Sequence, residues 1–209
     1  MPSARPLPRS FYARPVLKVA RECVGKILVH ESPEGRVSGR IVEAEAYRGP
    51  EDRAAHSFGG RRTARTEVMF GPPGYAYVFF VYGMHWHFNL VTTALGKPEA
   101  VLIRAVEPLE GLALMAARRG MESTRRELSN GPGKLCQALG IDRAAYAADL
   151  TTRPLYLLDG PTPKLASSPR IGIDYAAEWA EKPWRFYDPY SPFVSPARRL
   201  RDACKVPGR

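Results

Sequence analysis

The residues of this chain that are best suited to chemistry lie between positions 39 and 91. Glu43, Glu45 and Tyr47 alternate along a predicted strand, so their side chains share one face, and the Cα atoms of the two glutamates are roughly 7 Å apart. Beyond a loop rich in glycine, proline and arginine comes an aromatic run, Tyr75–Tyr82. Carboxylates, rings and arginines in one segment indicate a pocket for a flat, electron-poor ring held on a polyanion. A solvated outer strand face is the simpler interpretation of the two glutamates alone.

The loop at residues 48–74 is long and has no clear periodicity. Loops of this length inside a compact domain are more often functional than not. Its one histidine, His56, fits a structural hydrogen-bonding role better than a catalytic one when it is considered alone. Its arginines are spaced so that they could follow a phosphate backbone. They are Arg48, Arg53, Arg61, Arg62 and Arg65.

The charge balance points to the same kind of partner. The chain has 31 lysines and arginines against 21 aspartates and glutamates, a net charge of +10 and a pI near 9.8. Arginine outnumbers lysine, and its planar guanidinium suits bidentate contact with phosphate. Nucleic acid is therefore the favoured partner, although a generally basic proteome would explain the charge equally simply.

Length and hydropathy bound the architecture. With 209 residues and 44% apolar content, the chain can bury one substantial core, which predicts a single domain over 1–209. Residues 1–13 are predicted to form an extended arm and residues 197–209 a basic tail. The N-terminus lacks the apolar region of a signal peptide, and no apolar run approaches the roughly 20 residues that span a bilayer. We therefore expect a soluble, monomeric, cytoplasmic protein with no membrane partner.

The other predicted elements position the aromatic run. Helices are predicted at 15–24, 109–119, 134–139 and 176–181, and strands at 26–31, 36–47, 75–82, 85–93, 100–106, 155–158 and 170–173. The strand at 75–82 is apolar on both faces, which predicts a central, buried strand. Tyr82 precedes Gly83 at a hairpin tip, where a large ring would serve as a wedge or an anchor. Arg104 interrupts an apolar strand and must be paired if it is buried.

The histidines and cysteines give a weaker signal. His85 and His87 share a strand face, and His56 or Glu45 could add a third ligand, so a metal-dependent hydrolase is one alternative. The cysteines lie far apart with no C-x-x-C pair, which argues against a structural zinc site or a disulfide framework. They are Cys23, Cys136 and Cys204.

A glycine-proline loop at residues 129–135 resembles a nucleotide phosphate loop but fails its pattern. Leu128 stands in place of the first glycine, and Leu135 in place of the serine or threonine. The loop still leads into a predicted helix whose first amides could bind a phosphate. Lys134 therefore joins Arg61, Arg62 and Arg65 as a DNA-backbone candidate.

Ten motifs, spread in order from about residue 8 to 196, carry a resemblance to a known family. They are Arg40-Ile-Val-Glu-Ala-Glu-Ala-Tyr47, Gly49-Pro-Glu-Asp52, Ala54-Ala-His-Ser57, Met69-Phe70, Tyr82-Gly-Met84, Asn89, the segment from Arg104 to Gly111, Ser129-Asn-Gly-Pro-Gly-Lys-Leu-Cys-Gln137, Glu178-Trp-Ala-Glu-Lys-Pro183 and Arg185-Phe-Tyr187. The sequence resembles the alkyladenine (3-methyladenine) DNA glycosylases of the mammalian type, in a short bacterial-like form. The resemblance implies a mixed α/β (α+β) domain with a curved antiparallel β-sheet, flanking helices and a protruding β-hairpin that enters the DNA minor groove.

The resemblance also implies an activity, which is excision of alkylated or deaminated purines from double-stranded DNA without metal, other cofactor or lyase step. By position, Glu45 falls on the general base and Arg104 on a residue near the catalytic water. Tyr82 falls on the side chain that intercalates in the duplex. Asn89 falls on the position that obstructs the amine of normal guanine. The walls of the base-binding pocket fall on Tyr47, His56 and Phe79.

Two positions depart from the mammalian pattern. Phe79 stands in place of a tyrosine, so the wall is kept and its hydroxyl is lost. Asp174 stands in place of a histidine at the pocket edge. Both departures bear on the preference between neutral hypoxanthine and cationic 3-methyladenine. Glu43 is interpreted as structural, because one carboxylate suffices when the leaving purine is already cationic.

A non-catalytic nucleic-acid or DNA-damage binding domain is the main alternative. It explains the charge and the loop arginines. It does not explain a carboxylate beside Tyr47 in a basic groove, since Glu45 would weaken phosphate binding unless it took part in chemistry.

Overall fold

The computed structural model of this protein describes residues 5–196. The strands are β1 Ile27–Ser32, β2 Gly35–Tyr47, β3 Ala76–Val81, β4 His85–Thr92, β5 Glu99–Glu110, β6 Leu155–Leu158, β7 Ala166–Ser168 and β8 Arg185–Tyr187. The α-helices in this range are α1 Arg9–Tyr12, α2 Val16–Cys23, α3 Leu112–Arg119 and α4 Pro132–Leu139. Shorter 3-10 segments lie at Phe58–Gly60, Glu67–Phe70, Arg126–Leu128, Arg143–Ala145 and Asp174–Trp179.

The eight strands form one antiparallel sheet, which confirms the predicted α+β class. The order is β3-β4-β5-β2-β1-β6, and β8 pairs with both β2 and β7. The register between β2 and β5 shifts beside Ser38 and around Glu43. Such irregularities bend a strand. The first part of β2 pairs with β1, and the stretch Glu43–Glu45 pairs with β8 instead.

The small residues of β2, which alternate with its glutamates, face the core. Val42, Ala44 and Ala46 are fully buried, and α2 packs against this strand while α4 packs against β4. Large apolar side chains such as Phe88 and Leu135 fill the space between sheet and helices. Each such side chain stabilises the fold by roughly 1.5–3 kcal/mol when it is fully buried. This packed layer holds β2 firmly, so the other face of the strand can carry polar residues in defined positions.

The solvated-face interpretation of β2 is wrong. Glu43 and Glu45 are fully buried on the side of the strand away from the helices, because later parts of the chain cover them. The nearest covers are β8 and the segment at residues 170–173, more than a hundred residues along the chain.

The hairpin β3–β4 confirms the predicted protrusion, but β3 is not a central strand. It lies at the edge of the sheet. Tyr77 is buried near its start, whereas Phe80 is 45% exposed and Tyr82 is 81% exposed. The aromatic rings of this segment are therefore buried at its start and exposed at its end. A strand with apolar residues on both faces does not show this difference in its sequence.

Several boundaries differ from those predicted. Residues 9–12 are helical rather than extended, because Tyr12 docks in the core with no exposed area. The helix predicted at 109–119 begins at Leu112, since β5 continues to Glu110 and Gly111 adopts a φ of 71°. The hairpin turn between β1 and β2, and the strand at 155–158, lie where they were predicted. The predicted basic tail lies outside the described residues.

The largest difference concerns residues 170–181. The predicted strand at 170–173 is a loop, and the short strand β7 lies earlier. The predicted helix at 176–181 is instead a 3-10 segment, Asp174–Trp179, with a kink where Ala177 has a φ of 51°. Side-chain hydrogen bonds, rather than a strand ladder, hold this loop against β2.

Residues 5–196 contain neither a membrane-spanning helix nor a cluster of metal ligands. No helix in that range is long and apolar enough to cross a membrane. No group of three or more histidine, cysteine, aspartate or glutamate side chains in the same range is arranged to hold a metal ion, and the proposed cluster of His56, His85, His87 and Glu45 is therefore not formed. Cys23 and Cys136 are free thiols buried in the core.

Candidate active site

A cavity of about 310 Å³ opens beside the β3–β4 hairpin. The hairpin, the loop after β2 and the segment at 171–175 surround it. Its lining includes every predicted pocket residue, namely Tyr47, His56, Phe79 and Asn89, together with Arg104 and Tyr82. Ala54, Met69, Tyr77, Val81, His87, Ala100, Leu102, Pro132, Ile171, Gly172, Ile173 and Tyr175 complete it. The volume falls in the range of small-molecule pockets.

Glu45 lies directly behind this lining and has no exposed area. Its Oε2 accepts hydrogen bonds from the Tyr47 hydroxyl at 2.9 Å and from the guanidinium of Arg104 at 3.3 Å. Its Oε1 accepts from the backbone N–H of Ile171 at 2.8 Å. All three donors belong to cavity-lining residues. Since a carboxylate offers about four lone-pair sites, these bonds leave about one free for a water molecule.

Arg104 joins the two glutamates of β2. Its Nε donates to Glu43 at 3.0 Å, and one terminal nitrogen donates to Glu45. The pKa of Arg104 is raised, because burial, which acts to lower it, is outweighed by the negative charges of Glu45 and Glu43. Arg104, which was predicted to need a partner if buried, is therefore paired with both glutamates. A guanidinium has five N–H donors, so Arg104 retains donors that can face a molecule in the cavity.

Glu43 is engaged differently, which supports its interpretation as structural. Besides Arg104, it accepts a hydrogen bond from Arg185 at 2.6 Å and from both the backbone N–H and the hydroxyl of Ser195, at 2.7 and 2.8 Å. Four donors use the acceptor capacity of one carboxylate. Three of the four come from Arg185 and Ser195, which do not line the cavity, so Glu43 is engaged mainly by residues outside it.

Tyr47 forms one wall of the cavity and is held from behind. The guanidinium of Arg170 lies over its ring, 4.7 Å from the ring centre, and its hydroxyl is held by Glu45. The pKa of Tyr47 is raised well above its usual range by removal from water and by the neighbouring charge of Glu45. The phenol therefore stays protonated and keeps donating to Glu45.

His56 and Phe79 form a second wall of the cavity. Their rings meet edge to face, with centres 4.6 Å apart. The Nδ1 of His56 lies 2.8 Å from the hydroxyl of Tyr77, whose ring is 5.2 Å from that of Phe79. An edge-to-face cluster of this kind holds each ring in place. A planar ring could enter between this cluster and Tyr47.

Asn89 points its amide at the cavity from β4. It is 4% exposed, and its Nδ2 donates to the backbone oxygen of Tyr77 at 3.1 Å. The side chain cannot rotate away without losing that bond. It therefore presents a fixed polar obstacle on the cavity floor.

Tyr82 stands at the mouth of the cavity on the hairpin tip. Its φ is 53°, a left-handed conformation that is uncommon for a residue with a bulky side chain. Such conformations persist where the surrounding structure imposes them, and they cluster at functional sites. The ring is thus exposed and close to the cavity at the same time, as a wedge requires.

The four DNA-backbone candidates do not share one environment. Arg62 is paired with Glu67 at 2.5 Å and lies over the ring of Phe70. Lys134 donates to Asn130 at 2.8 Å. Arg61 and Arg65 line a second cavity next to the first. All four remain candidates for phosphate contact.

Several residues of the candidate site were not predicted from the sequence. Tyr77 and His87 belong to the alternating pattern of the hairpin strands, so that pattern could have placed them beside Phe79. Tyr175 is 72% exposed and lines the cavity, but it falls between the predicted strand at 170–173 and the predicted helix at 176–181, where no pattern marked it. Asp174 is exposed and lies between two lining residues without being one itself. No sequence pattern near Arg170 marked it as a residue of the site.

The chain is similar to known proteins along most of its length. The family model described as methylpurine-DNA glycosylase matches residues 10–192. A protein of Desulfitobacterium hafniense is 53% identical over 198 residues, which cover 90% of this chain and 98% of that protein. A protein of Methanocella arvoryzae is 53% identical over 191 residues, which cover 90% of this chain and 95% of that protein. A protein of Bacillus licheniformis is 50% identical over 197 residues, which cover 93% of this chain and 98% of that protein. All three bear the name "Putative 3-methyladenine DNA glycosylase".

The match spans far more than half of the chain and includes both walls of the cavity, the hairpin and Glu45. Relatives this similar over nearly their whole length share the fold. The chain belongs to the methylpurine-DNA glycosylase family.

Proposed function

We propose that this protein is a DNA repair glycosylase that excises damaged purines from double-stranded DNA. The substrates are bases of the 3-methyladenine, 7-methylguanine and hypoxanthine class. The base leaves the duplex, enters the cavity between Tyr47 and the wall of His56 and Phe79, and is released by hydrolysis of its N-glycosidic bond. The product in DNA is an abasic site.

The observation that carries this proposal is the position of Glu45. It is a buried carboxylate directly behind an aromatic-walled cavity, and its three hydrogen-bond donors all belong to cavity-lining residues. Stacking between aromatic surfaces is worth roughly 1–3 kcal/mol per base and suits an electron-poor purine. Family membership supports the same activity.

Glu45 serves as the general base. A water molecule bound to its free lone pair attacks C1′ of the sugar and loses a proton to the carboxylate. As the new C–O bond forms, the C1′–N bond breaks and its electron pair goes to the departing purine. A cationic methylated purine leaves as a neutral molecule and needs no acid. The carboxylate also opposes the positive charge that develops on the sugar.

Arg104 places Glu45 and adds contacts of its own. Two of its donors hold Glu43 and Glu45, and the remaining N–H groups can hydrogen-bond the extruded nucleotide. No lysine lines the cavity within residues 5–196. This supports a monofunctional hydrolase, since a lyase step uses an amine nucleophile to form a Schiff base.

The exposed hairpin provides the means of extrusion. A base must leave the stack before its glycosidic bond can be reached, and Tyr82 would fill the space that it vacates. Arg61, Arg62, Arg65 and Lys134 are the proposed contacts to the DNA backbone. We further propose that the protein acts as a monomer in the cytoplasm, associated with the nucleoid in a bacterium.

A damage-binding protein without catalysis is the second candidate. It is favoured by one observation, the complete burial of Glu45 beneath Tyr47, Arg104 and Ile171. In that case, the carboxylate would only orient the aromatic wall. Water would then have no route to it even with a base in the cavity.

Single-turnover base release distinguishes the two. Duplexes carrying 3-methyladenine or hypoxanthine are incubated with excess protein in EDTA, and wild type is compared with Glu45→Gln. Release by wild type that falls by at least about a hundredfold in the variant, while DNA binding is kept, would support the glycosylase. Binding without release by either protein would favour the damage binder. Undiminished release by Glu45→Gln would assign the base to another residue.

A further inference from the structure

His56 is shared by two cavities. One is the proposed base-binding cavity. The other, of about 320 Å³, shares Ala54, His56 and Tyr175 with the first and is called the arginine cleft here. Its defining residues are Arg53, Arg61, Thr63, Arg65 and Thr66. His56 is therefore a partition between the two spaces, and groups in the cleft can act on the base cavity through it.

Arg65 contacts this partition from the cleft side. One of its terminal nitrogens lies 3.2 Å from Nε2 of His56, and its guanidinium lies over the ring of Phe79, 4.7 Å from the ring centre. Arg65 does not line the base cavity. It acts on the cavity through residues of its lining, namely His56, Phe79 and also Tyr77, with which it interacts by charge and a hydrogen bond.

The direction of the hydrogen bonds follows from chemistry. A guanidinium can only donate, so Nε2 of His56 must be the acceptor. The proton of a neutral imidazole is then on Nδ1, which donates to the Tyr77 hydroxyl 2.8 Å away. Since the His56 side chain is accessible from both cavities, burial alone does not select this tautomer. The bond from Arg65 does.

We propose that Arg65 is a positioning residue, which holds the His56 ring neutral with its proton on Nδ1 and thereby fits the base cavity to cationic purines. This inference rests on the proposed glycosylase function. A cationic imidazole beside a cationic base would repel it, by several kcal/mol at contact distance and an effective dielectric constant near 20. A neutral imidazole offers the same ring surface without that repulsion.

The charged groups around His56 also favour its neutral form. Arg65 and Arg61 approach from the loop after β2, Tyr77 from β3, and His87 lies near the ring on β4. The pKa of His56 is lowered to about 4 by enclosure of the ring and by the positive charges of Arg65 and Arg61. Removing Arg65 takes away both a like charge and the hydrogen bond that needs an unprotonated Nε2.

The direct test is the titration of His56 in the free protein, which is independent of any activity. The chain has four histidines, so imidazole ¹⁵N–¹H spectra are simple to assign. In Arg65→Met, the pKa of His56 should rise by about one unit or more, and the neutral ring should show a mixture of tautomers. Arg62→Met removes an equal charge from the same loop but does not touch His56, and it should leave the titration of His56 as in wild type.

An unchanged titration and tautomer in Arg65→Met would overturn the inference, and so would an equal change in Arg62→Met. Arg65 is exposed, so neither substitution should prevent folding. Arg65→Lys keeps the positive charge but loses the planar guanidinium over Phe79. The pKa of His56 in Arg65→Lys should therefore lie between its values in wild type and in Arg65→Met.

The consequence for substrate choice is tested by base release at pH 7.5 and 4.5. If the pKa of His56 rises by one unit from about 4, roughly three quarters of the rings in Arg65→Met are protonated at pH 4.5, against roughly a quarter in wild type. Release of 7-methylguanine relative to hypoxanthine should therefore fall about threefold further in Arg65→Met than in wild type, whereas Arg153→Met, whose arginine pairs with Glu31 outside the cavity lining, should keep the wild-type ratio. A ratio independent of pH in all three proteins would refute the role in specificity. If no protein released any base but the titration shifted as expected, the proposed function would fail and the link between Arg65 and His56 would stand.

Discussion

The guanidinium of Arg170 and the carboxylate of Asp52 form a fully buried ion pair through two hydrogen bonds, of 2.5 and 2.9 Å. The pair joins the loop after β2 to the segment that covers Glu45. Arg170 also donates to the backbone oxygen of Ala46 at 2.9 Å and lies over the ring of Tyr47. One ion pair thus fixes a cavity wall and the cover of the proposed catalytic carboxylate.

We expect Asp52→Asn to destabilise the protein strongly. The substitution leaves the Arg170 charge buried without compensation, and loss of one partner of such a pair typically costs about 3–5 kcal/mol. Urea unfolding followed by tryptophan fluorescence measures the change in the free energy of unfolding. Glu67→Gln, which breaks the exposed pair with Arg62, should stay close to wild type. Equal stability of the two variants would contradict the role assigned to the buried pair.

Stability should depend on pH through His87, which lies on β4 beside Phe79. Its pKa is lowered to about 4 by burial and by the charges of Arg104 and neighbouring histidines. In the unfolded chain its pKa is about 6.5, so between pH 6.5 and 4 the unfolded state binds the proton and the folded state does not. The stabilisation is complete above pH 6.5 and is lost as the pH falls, by up to about 1.4 kcal/mol per unit.

His87→Gln removes that titration. We expect the free energy of unfolding of the variant to fall less steeply than that of wild type between pH 6.5 and 4.5. Urea unfolding at several pH values within this range gives both curves. Parallel curves would mean that His87 titrates alike in the folded and unfolded states.

Much of this site could be predicted, because alternation along a strand is local. The shared face of Glu43, Glu45 and Tyr47 follows from a period of two and is present in the structure, with Arg104 bridging the two carboxylates. The need to pair Arg104 also follows from its apolar neighbours. These statements need no knowledge of distant parts of the chain.

The covering of the site could not be predicted in this way. The N–H that binds Glu45 belongs to Ile171, 126 residues further along, and Arg170 shows no pattern that marks it as the partner of Asp52. The edge position of β3 was missed for a related reason. Aromatic residues on both faces suit a buried strand and equally suit one that lines a cavity and ends on the surface.

Tyr82→Ser should slow base release from duplex DNA. The serine cannot fill the vacated stack, and a lost stacking contact of roughly 1–3 kcal/mol corresponds to about fivefold to 150-fold in the population of the extruded state. Single-turnover release from a hypoxanthine duplex measures the effect. Tyr190→Ser provides the control, because Tyr190 is similarly exposed, at 74%, and does not line the cavity. Unchanged release by Tyr82→Ser would remove the wedge role.

DNA binding should weaken steeply as salt rises from about 50 to 200 mM, since each phosphate contact releases counterions. Arg61→Met and Lys134→Met should each reduce the slope of log K against log salt by about one. Arg153→Met should keep the wild-type slope, because Arg153 pairs with Glu31 on the β1 side of the sheet, away from the hairpin. Fluorescence anisotropy of a labelled duplex measures all four proteins. A flat response in wild type would exclude these phosphate contacts.

Asn89→Ala tests whether the cavity rejects normal guanine. The amide of Asn89 is fixed by its bond to the backbone oxygen of Tyr77, and we propose that it occupies space that the exocyclic amine of guanine would need. Its removal should raise release of undamaged guanine by about tenfold or more, because a built-in clash is lost. Leu102→Ala also enlarges the cavity but keeps the amide, and it should not raise guanine release. A similar increase in both variants would mean that cavity size, and not the amide of Asn89, excludes guanine.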